Sequence, residues 1–217
     1  MKKFQNLVVI MAITAAIASC NKEDSDPTSD TYIPTPYTIN VPSNLPALPV
    51  PANNPTTVEG ILLGRMLYYD SIMDPANSRA CAGCHVQANG FTTLGTNVIP
   101  HINLGYQNKF LWNGSVQGSL EDAMLFEVTE FFKTDVSKLQ SDSKYPGLFY
   151  KAFGSSAITQ ENCALALAQF LRSMVSGNSK FDKYVRHETN FTAEETEGFM
   201  IFYTEKQYAL VLIKIIW

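Results

Sequence analysis

Three observations predict an all-α fold with long irregular loops. Apolar residues recur at helical spacing in four separate stretches, and no stretch sustains a period of two. Between His85 and Trp112 the chain turns instead to Gly, Asn, Thr and Pro with little periodicity, which is loop by composition.

The helices follow in order. Thr56-Thr57-Val58-Glu59 has the form of a capping box, and Leu62, Met66 and Tyr69 then recur at i, i+4 and i+7. A second helix starts at Ser119-Leu120-Glu121-Asp122, where acidic residues suit the positive end of the dipole, and carries Leu125, Val128 and Phe132 on one face. A third spans Ala157–Met174, with Cys163, Leu167, Phe170 and Met174 on one stripe, so Cys163 reads as core. A fourth opens at Thr192-Ala193-Glu194-Glu195 and continues toward Phe202.

The N-terminal part is organised differently. Lys2 and Lys3 precede an apolar run from Leu7 to Ile17 that stops at small residues before Cys20, the pattern of an export signal too short to span a bilayer. Ile17-Ala18-Ser19-Cys20 resembles a bacterial lipobox, which makes Cys20 the expected lipidation site. The chain is then expected to be exported, as a periplasmic or cell-surface lipoprotein that meets the membrane through its lipid anchor only. Eight of the eleven prolines lie between Pro27 and Pro55, so the stretch reads as an extended linker. The expected organisation is a signal peptide over 1–20, a linker over 21–55, a globular domain over 56–206 and an aberrant apolar tail over 207–217. The domain is long enough to bury a proper core. A net charge of −4 gives no electrostatic footprint for nucleic acid, so none is expected as a partner.

Chemistry concentrates in Cys81-Ala82-Gly83-Cys84-His85. C-x-x-C also serves as half a zinc site or as a thioredoxin-like redox pair. Zinc needs two further ligands, and Cys163, His101 and His187 lack ligand spacing; a redox fold needs a β-α-β pattern that the flanks do not supply. C-x-x-C-H is the pattern that fixes a c-type haem, with two thioether links and the adjacent imidazole on iron. One covalently attached haem c, held by Cys81, Cys84 and His85, is therefore expected, and export fits it because such haem is joined to protein outside the bacterial cytoplasm.

An ordered set of segments surrounds the motif: Leu48-Pro49, Asn54-Pro55, the run Glu59–Asp70, Gly90-Phe91-Thr92, Asn97, Pro100, Asn103, Phe110-Leu111-Trp112-Asn113-Gly114, Ser119–Asp122, Phe170-Leu171-Arg172-Ser173 and Ser179–Tyr184. From about Pro46 to Lys206 the chain resembles the N-terminal haem domain of the bacterial di-haem cytochrome c peroxidases, the family that includes MauG. The resemblance implies a cytochrome c-like haem domain that reduces hydrogen peroxide to water with electrons from a small c-type cytochrome or cupredoxin. It also implies a distal carboxylate to move a proton between the peroxide oxygens. Glu127 and Glu130 are one helical turn apart on a common face, and Glu130 matches the family's glutamate better, with a solvated helix face as the plainer reading of both. His101 is either a removable sixth ligand of the iron or an ordinary loop histidine. Trp112 matches the family's tryptophan between two haems, although burial alone explains many tryptophans. A calcium ion near Asn97 is a further implication.

Asn113 and Ser115 stand where the family often has aspartate and arginine, and Ala123 falls near a common glutamine, so the distal pocket is expected to differ. Glu195–Tyr203 resembles the approach to a second C-x-x-C-H, but Tyr208–Trp217 is apolar and carries none. The expectation is a frameshift or premature stop after about Lys206 with loss of the second haem domain. The competing expectations are a mono-haem electron-transfer or haem-binding lipoprotein and an inactive fragment.

Overall fold

The computed structural model describes residues 32–95 and 97–204; Cys20 and the apolar tail lie outside the described residues. Eight α-helices and one two-stranded antiparallel hairpin are described: α1 (Val58–Tyr69), α2 (Cys81–Cys84), β1 (Lys109–Phe110), β2 (Val116–Gln117), α3 (Leu120–Phe126), α4 (Val136–Ser141), α5 (Tyr145–Phe153), α6 (Gln160–Ser173), α7 (Lys180–Val185) and α8 (Ala193–Thr204). The mostly helical expectation holds. Among the described residues no helix is long and apolar enough to cross a membrane.

The centre of the fold is α6. Cys163, Ala164, Ala166, Leu167, Ala168, Phe170 and Leu171 are all buried, together with the polar Gln169 and Arg172, so the helix lies inside the fold. Thr159 caps it by accepting from the Asn162 N–H at 3.0 Å. Burial pushes the Cys163 thiol up to about 12, so it packs as a small hydrophobe. Against α6 lies α1, and its two buried glycines, one helical turn apart, explain how close the approach is. A Cβ on Gly64 would meet the Ala166 carbonyl oxygen at 1.9 Å, and one on Gly60 would meet Gln169 Oε1 at 2.0 Å.

A buried polar network locks this contact. Gln169 Oε1 accepts from the Thr57 N–H at 2.9 Å and from its hydroxyl at 3.2 Å, while Gln169 Nε2 donates to Asn54 at 2.9 Å. Asn54 in turn donates to Glu121 of α3 at 2.7 Å, and Glu121 accepts from Arg172, whose side chain is buried. Every such bond satisfies a group that would be costly to bury unpaired.

The α1 cap differs by one residue from the expectation. Thr57, not Thr56, is the N-cap, its hydroxyl accepting from Gly60 N at 3.0 Å. Glu59 instead reaches out of the helix to Thr35, accepting from its N–H at 2.9 Å and its hydroxyl at 2.8 Å. The second helix is also shorter than its apolar stripe implied. Ser119 and Asp122 form a capping box for α3, but after Phe126 the chain widens into a single π-turn over Glu127–Phe131, closed by Phe132 N to Glu127 O at 2.8 Å.

Candidate functional site

The C-x-x-C-H segment folds into one short helical turn, with His85 N bonded to Cys81 O at 2.9 Å. Helical spacing puts residues i, i+3 and i+4 on one side, so Cys81, Cys84 and His85 face the same cavity. That cavity has a volume of about 410 Å³. Its walls are mainly apolar, with Leu104, Phe110 and Met124 among them.

The loop after α2 orients the imidazole. Gly90 and Phe91 both adopt positive φ, 72° and 62°, and fold the chain back so that Val86 N meets Thr92 O at 3.2 Å. This aims the Phe91 carbonyl at His85 Nδ1, 3.1 Å away. Only an N–H satisfies that contact, so the ring carries a proton on Nδ1 and Nε2 is the nitrogen that would meet a metal. Burial pushes the His85 pKa down, against the opposing backbone hydrogen bonds of Phe91 and Ile99, which keeps the ring neutral.

His101 lies beside His85. Their rings stack with centroids 3.3 Å apart and planes 17° from parallel, and His101 Nδ1 is 3.1 Å from the hydroxyl of wholly buried Tyr68. Burial, and then the neighbouring His85, hold the His101 pKa well below the ordinary value. His101 thus lies beside the His85 ring.

The two glutamates separate. Glu127 lines the cavity and burial raises its pKa, whereas Glu130 is exposed and outside the lining. The expectation that favoured Glu130 assumed an unbroken α-helix, and the π-turn changes the angular step between the two. Trp112 sits at the cavity edge with 65% of its surface exposed, so burial does not explain it. Ala123 and Met124 line the cavity wall.

Sequence reasoning missed three participants. Arg79 lines the cavity, stacked 4.9 Å from the Phe131 ring centroid and paired with Asp74 at 2.8 Å. Tyr68 lines it too, and Lys109 joins from β1. None had a signal: the apolar stripe read on the first helix was Leu62, Met66 and Tyr69, which the structure leaves exposed, while Tyr68 turns inward. Among the described residues no group of three or more His, Cys, Asp or Glu is arranged to hold a metal ion, and Asn97 is exposed at the rim.

The donor set fits a c-type haem. Two thiols unpaired with each other and one imidazole anchored through Nδ1 by the Phe91 carbonyl share one side of an apolar cavity, and the only carboxylate among its described lining residues is that of Glu127.

Comparisons with known proteins agree. Residues 58–190 match the family described as di-haem cytochrome c peroxidase. The chain is 28% identical over 176 residues to the methylamine utilization protein MauG of Methylophilus methylotrophus, covering 72% of this chain and 52% of that protein. It is 30% identical over 178 residues to the cytochrome-c peroxidase IdrP1 of Pseudomonas sp. strain SCT, covering 73% and 47%. Among solved structures, a MauG-like protein associated with microbial copper homeostasis superposes with a TM-score of 0.68 at 25% identity, over 78% of this chain and 56% of that one. The chain spans about half the length of these relatives.

Proposed function

The chain belongs to the di-haem cytochrome c peroxidase family, and from that premise we propose that it carries one haem c on Cys81 and Cys84, with His85 on the iron, and reduces hydrogen peroxide to water. The electrons come from a small c-type cytochrome or cupredoxin. The observation that carries this reading is the turn that aims two thiols and a neutral, Nδ1-anchored imidazole into one apolar cavity.

When bound, the haem would supply a redox-active iron able to reduce peroxide. The chain's own residues do the rest. His85 is held in one tautomer by the Phe91 carbonyl, which fixes its ring and raises its basicity toward a metal. Glu127 is the acid–base group, because it lines the cavity and burial raises its carboxyl pKa. It takes a proton from one peroxide oxygen and returns it to the other as the bond breaks; two electrons and two protons then yield two waters. Apolar walls from Phe110, Met124 and Leu104 exclude bulk water. Trp112, exposed at the rim, is the aromatic group through which a donor's electrons enter. Calcium near Asn97, lipid on Cys20 and export to the periplasm or cell surface complete the reading.

The test uses the full chain matured with c-type haem. One haem per chain by pyridine haemochrome, and peroxide-dependent oxidation of a reduced small cytochrome c, are expected. A haem-loaded protein that leaves the reduced cytochrome unoxidised overturns the peroxidase reading.

A further inference from the structure

A second pocket, about 280 Å³, lies between α1, the loop after α2 and the end of α6. Arg65, Tyr69 and Gln87 form its polar part, and Phe91, Ile102 and Phe170 its apolar part. Its volume is just under the range of about 300–1,000 Å³ that holds drug-sized ligands, which suits a molecule of one ring. Arg65 is exposed, its guanidinium 5.7 Å from the Tyr69 ring centroid, with no ion pair recorded among the described residues. An exposed guanidinium presents a planar fork of N–H donors that suits a small oxyanion, and the neighbouring aromatic ring offers a flat face to stack on.

Aromatic rings join the two pockets. Tyr68 lines the haem cavity and is wholly buried, while Tyr69, the next residue on the helix, lines the second pocket and is 41% exposed. Their centroids are 5.3 Å apart in an edge-on arrangement. On the inner side the Tyr68 ring is 5.9 Å from the His101 ring, which itself stacks on His85. The Tyr68 hydroxyl has a hydrogen-bond partner in His101 Nδ1 at 3.1 Å, and the Tyr69 hydroxyl donates to Gln87 Oε1 at 2.7 Å. Buried tyrosine with a nitrogen partner for its hydroxyl, next to exposed tyrosine at a pocket, is what stepwise electron passage through side chains requires.

We propose that Tyr68 and Tyr69 form an electron path from the second pocket to the haem cavity, and that the pocket takes a small anionic one-electron reductant of the enediol or phenol class. The path rests on the haem reading above. Tyr68 gives one electron to the haem that peroxide has oxidised, and its phenolic proton to His101 Nδ1. Tyr69 then gives an electron to Tyr68, which takes its proton back from His101, while the Tyr69 proton leaves to solvent. The reductant in the pocket restores Tyr69, losing one electron and one proton. Two passages balance one peroxide: two reductants lose two electrons and two protons in all, and hydrogen peroxide gains both pairs to become two waters.

The probe is ascorbate, with the haem-loaded full chain, loading being read by pyridine haemochrome. Freeze-quench electron paramagnetic resonance after peroxide alone is expected to give a tyrosyl radical that added ascorbate quenches. Tyr69→Phe, a surface change that leaves the haem spectrum intact, is expected to leave the radical confined to Tyr68 and slow to be quenched. Ascorbate oxidation falls about tenfold or more with it, a barrier increase of at least 1.36 kcal/mol. Tyr68→Phe removes the radical. Arg65→Ala raises the KM for ascorbate and leaves kcat near its original value. A loaded wild-type protein without a tyrosyl radical, or a loaded Tyr69→Phe protein whose radical is quenched as fast as in wild type, overturns the path alone. A chain without haem overturns the haem reading and the path with it.

Discussion

The haem cavity has two kinds of wall, and they are built by opposite means. On one side α1 and α6 contribute Tyr68 and Leu171 from a helix pair in close backbone contact, where Gly64 meets Ala166 and a buried network runs from Thr57 through Gln169, Asn54 and Glu121 to Arg172. On the other, the stretch from Cys81 to Trp112 contributes both thiols, both histidines and the tryptophan from turns and loops. Three non-glycine residues there, Phe91, Asn103 and Leu111, hold positive φ. Each such residue costs of order 1–3 kcal/mol. The helical side fixes position, and the irregular side accepts local strain to aim polar atoms such as the Phe91 carbonyl.

The largest expected effect separates the two sides outright. Replacing both Cys81 and Cys84 by Ala removes the thioether bonds, so haem stain on a denaturing gel falls to background. The helical side is untouched, and the far-ultraviolet circular dichroism of the variant keeps its helical signal. Covalent haem surviving in that double variant breaks the assignment of the motif.

Next in size is the contrast between the glutamates. Glu127→Gln in the haem-loaded chain is expected to slow peroxide turnover by about 10²–10⁴-fold, the usual worth of a positioned acid–base group. Glu130→Gln, on an exposed side chain outside the cavity, is expected to act far more weakly. Stopped-flow turnover with each variant decides between them, and equal losses would show that the π-turn does not separate the two.

The same small substitution sharpens the comparison in a third way. Gly64→Ala drives a Cβ to 1.9 Å from the Ala166 carbonyl oxygen, backbone that has nowhere to go, and α1 must shift. The cost is about 3 kcal/mol. Gly83→Ala, in the C-x-x-C-H turn, adds a Cβ that meets nothing within 4 Å. It is expected to be neutral or to stabilise by up to about 1 kcal/mol, because alanine restricts the unfolded chain. Urea unfolding of both variants reads the difference, and equal costs would erase the contrast.

Sequence patterning served the two sides unequally. Periodicity and caps located α3, α6 and α8 near their starts and the Cys163 stripe as core, because a helix writes its buried face into the chain at regular spacing. The short α4, α5 and α7 passed unnoticed, although Pro146 in the first turn of α5 and Gly154 at its left-handed C-cap are ordinary helix punctuation. The thiols and His85 were legible because covalent attachment needs that spacing. Glu127 was named beside Glu130 but not preferred to it, since a π-turn has no signature in apolar periodicity. The stacking of His101 on His85 was not legible either, since it follows from the positive φ of Phe91 and a tertiary hydrogen bond to Tyr68.

Asp74 joins the two sides, so its titration reports on both. It lies in the loop between α1 and α2, accepts from Arg79 at 2.8 Å, and accepts from the Ser78 hydroxyl at 2.7 Å and from its N–H at 2.9 Å. The Arg79 hydrogen bonds first, and those of Ser78 after them, hold the Asp74 carboxyl far below the usual carboxylate range. A carboxyl whose pKa is lower folded than unfolded stabilises the protein above the unfolded value of about 3.9, and that contribution disappears as pH falls through the folded value. The thermal stability of the wild-type chain is therefore expected to fall as pH drops below about 4, on the reference carboxylate scale. Asp74→Asn should lower the Tm at pH 7 and flatten its acid dependence, so that the two curves converge in acid. Arg79 also lines the cavity, and losing its partner should loosen that wall as well. Parallel curves, with the same difference in Tm at every pH, would mean that Asp74 acts through packing and not through its charge.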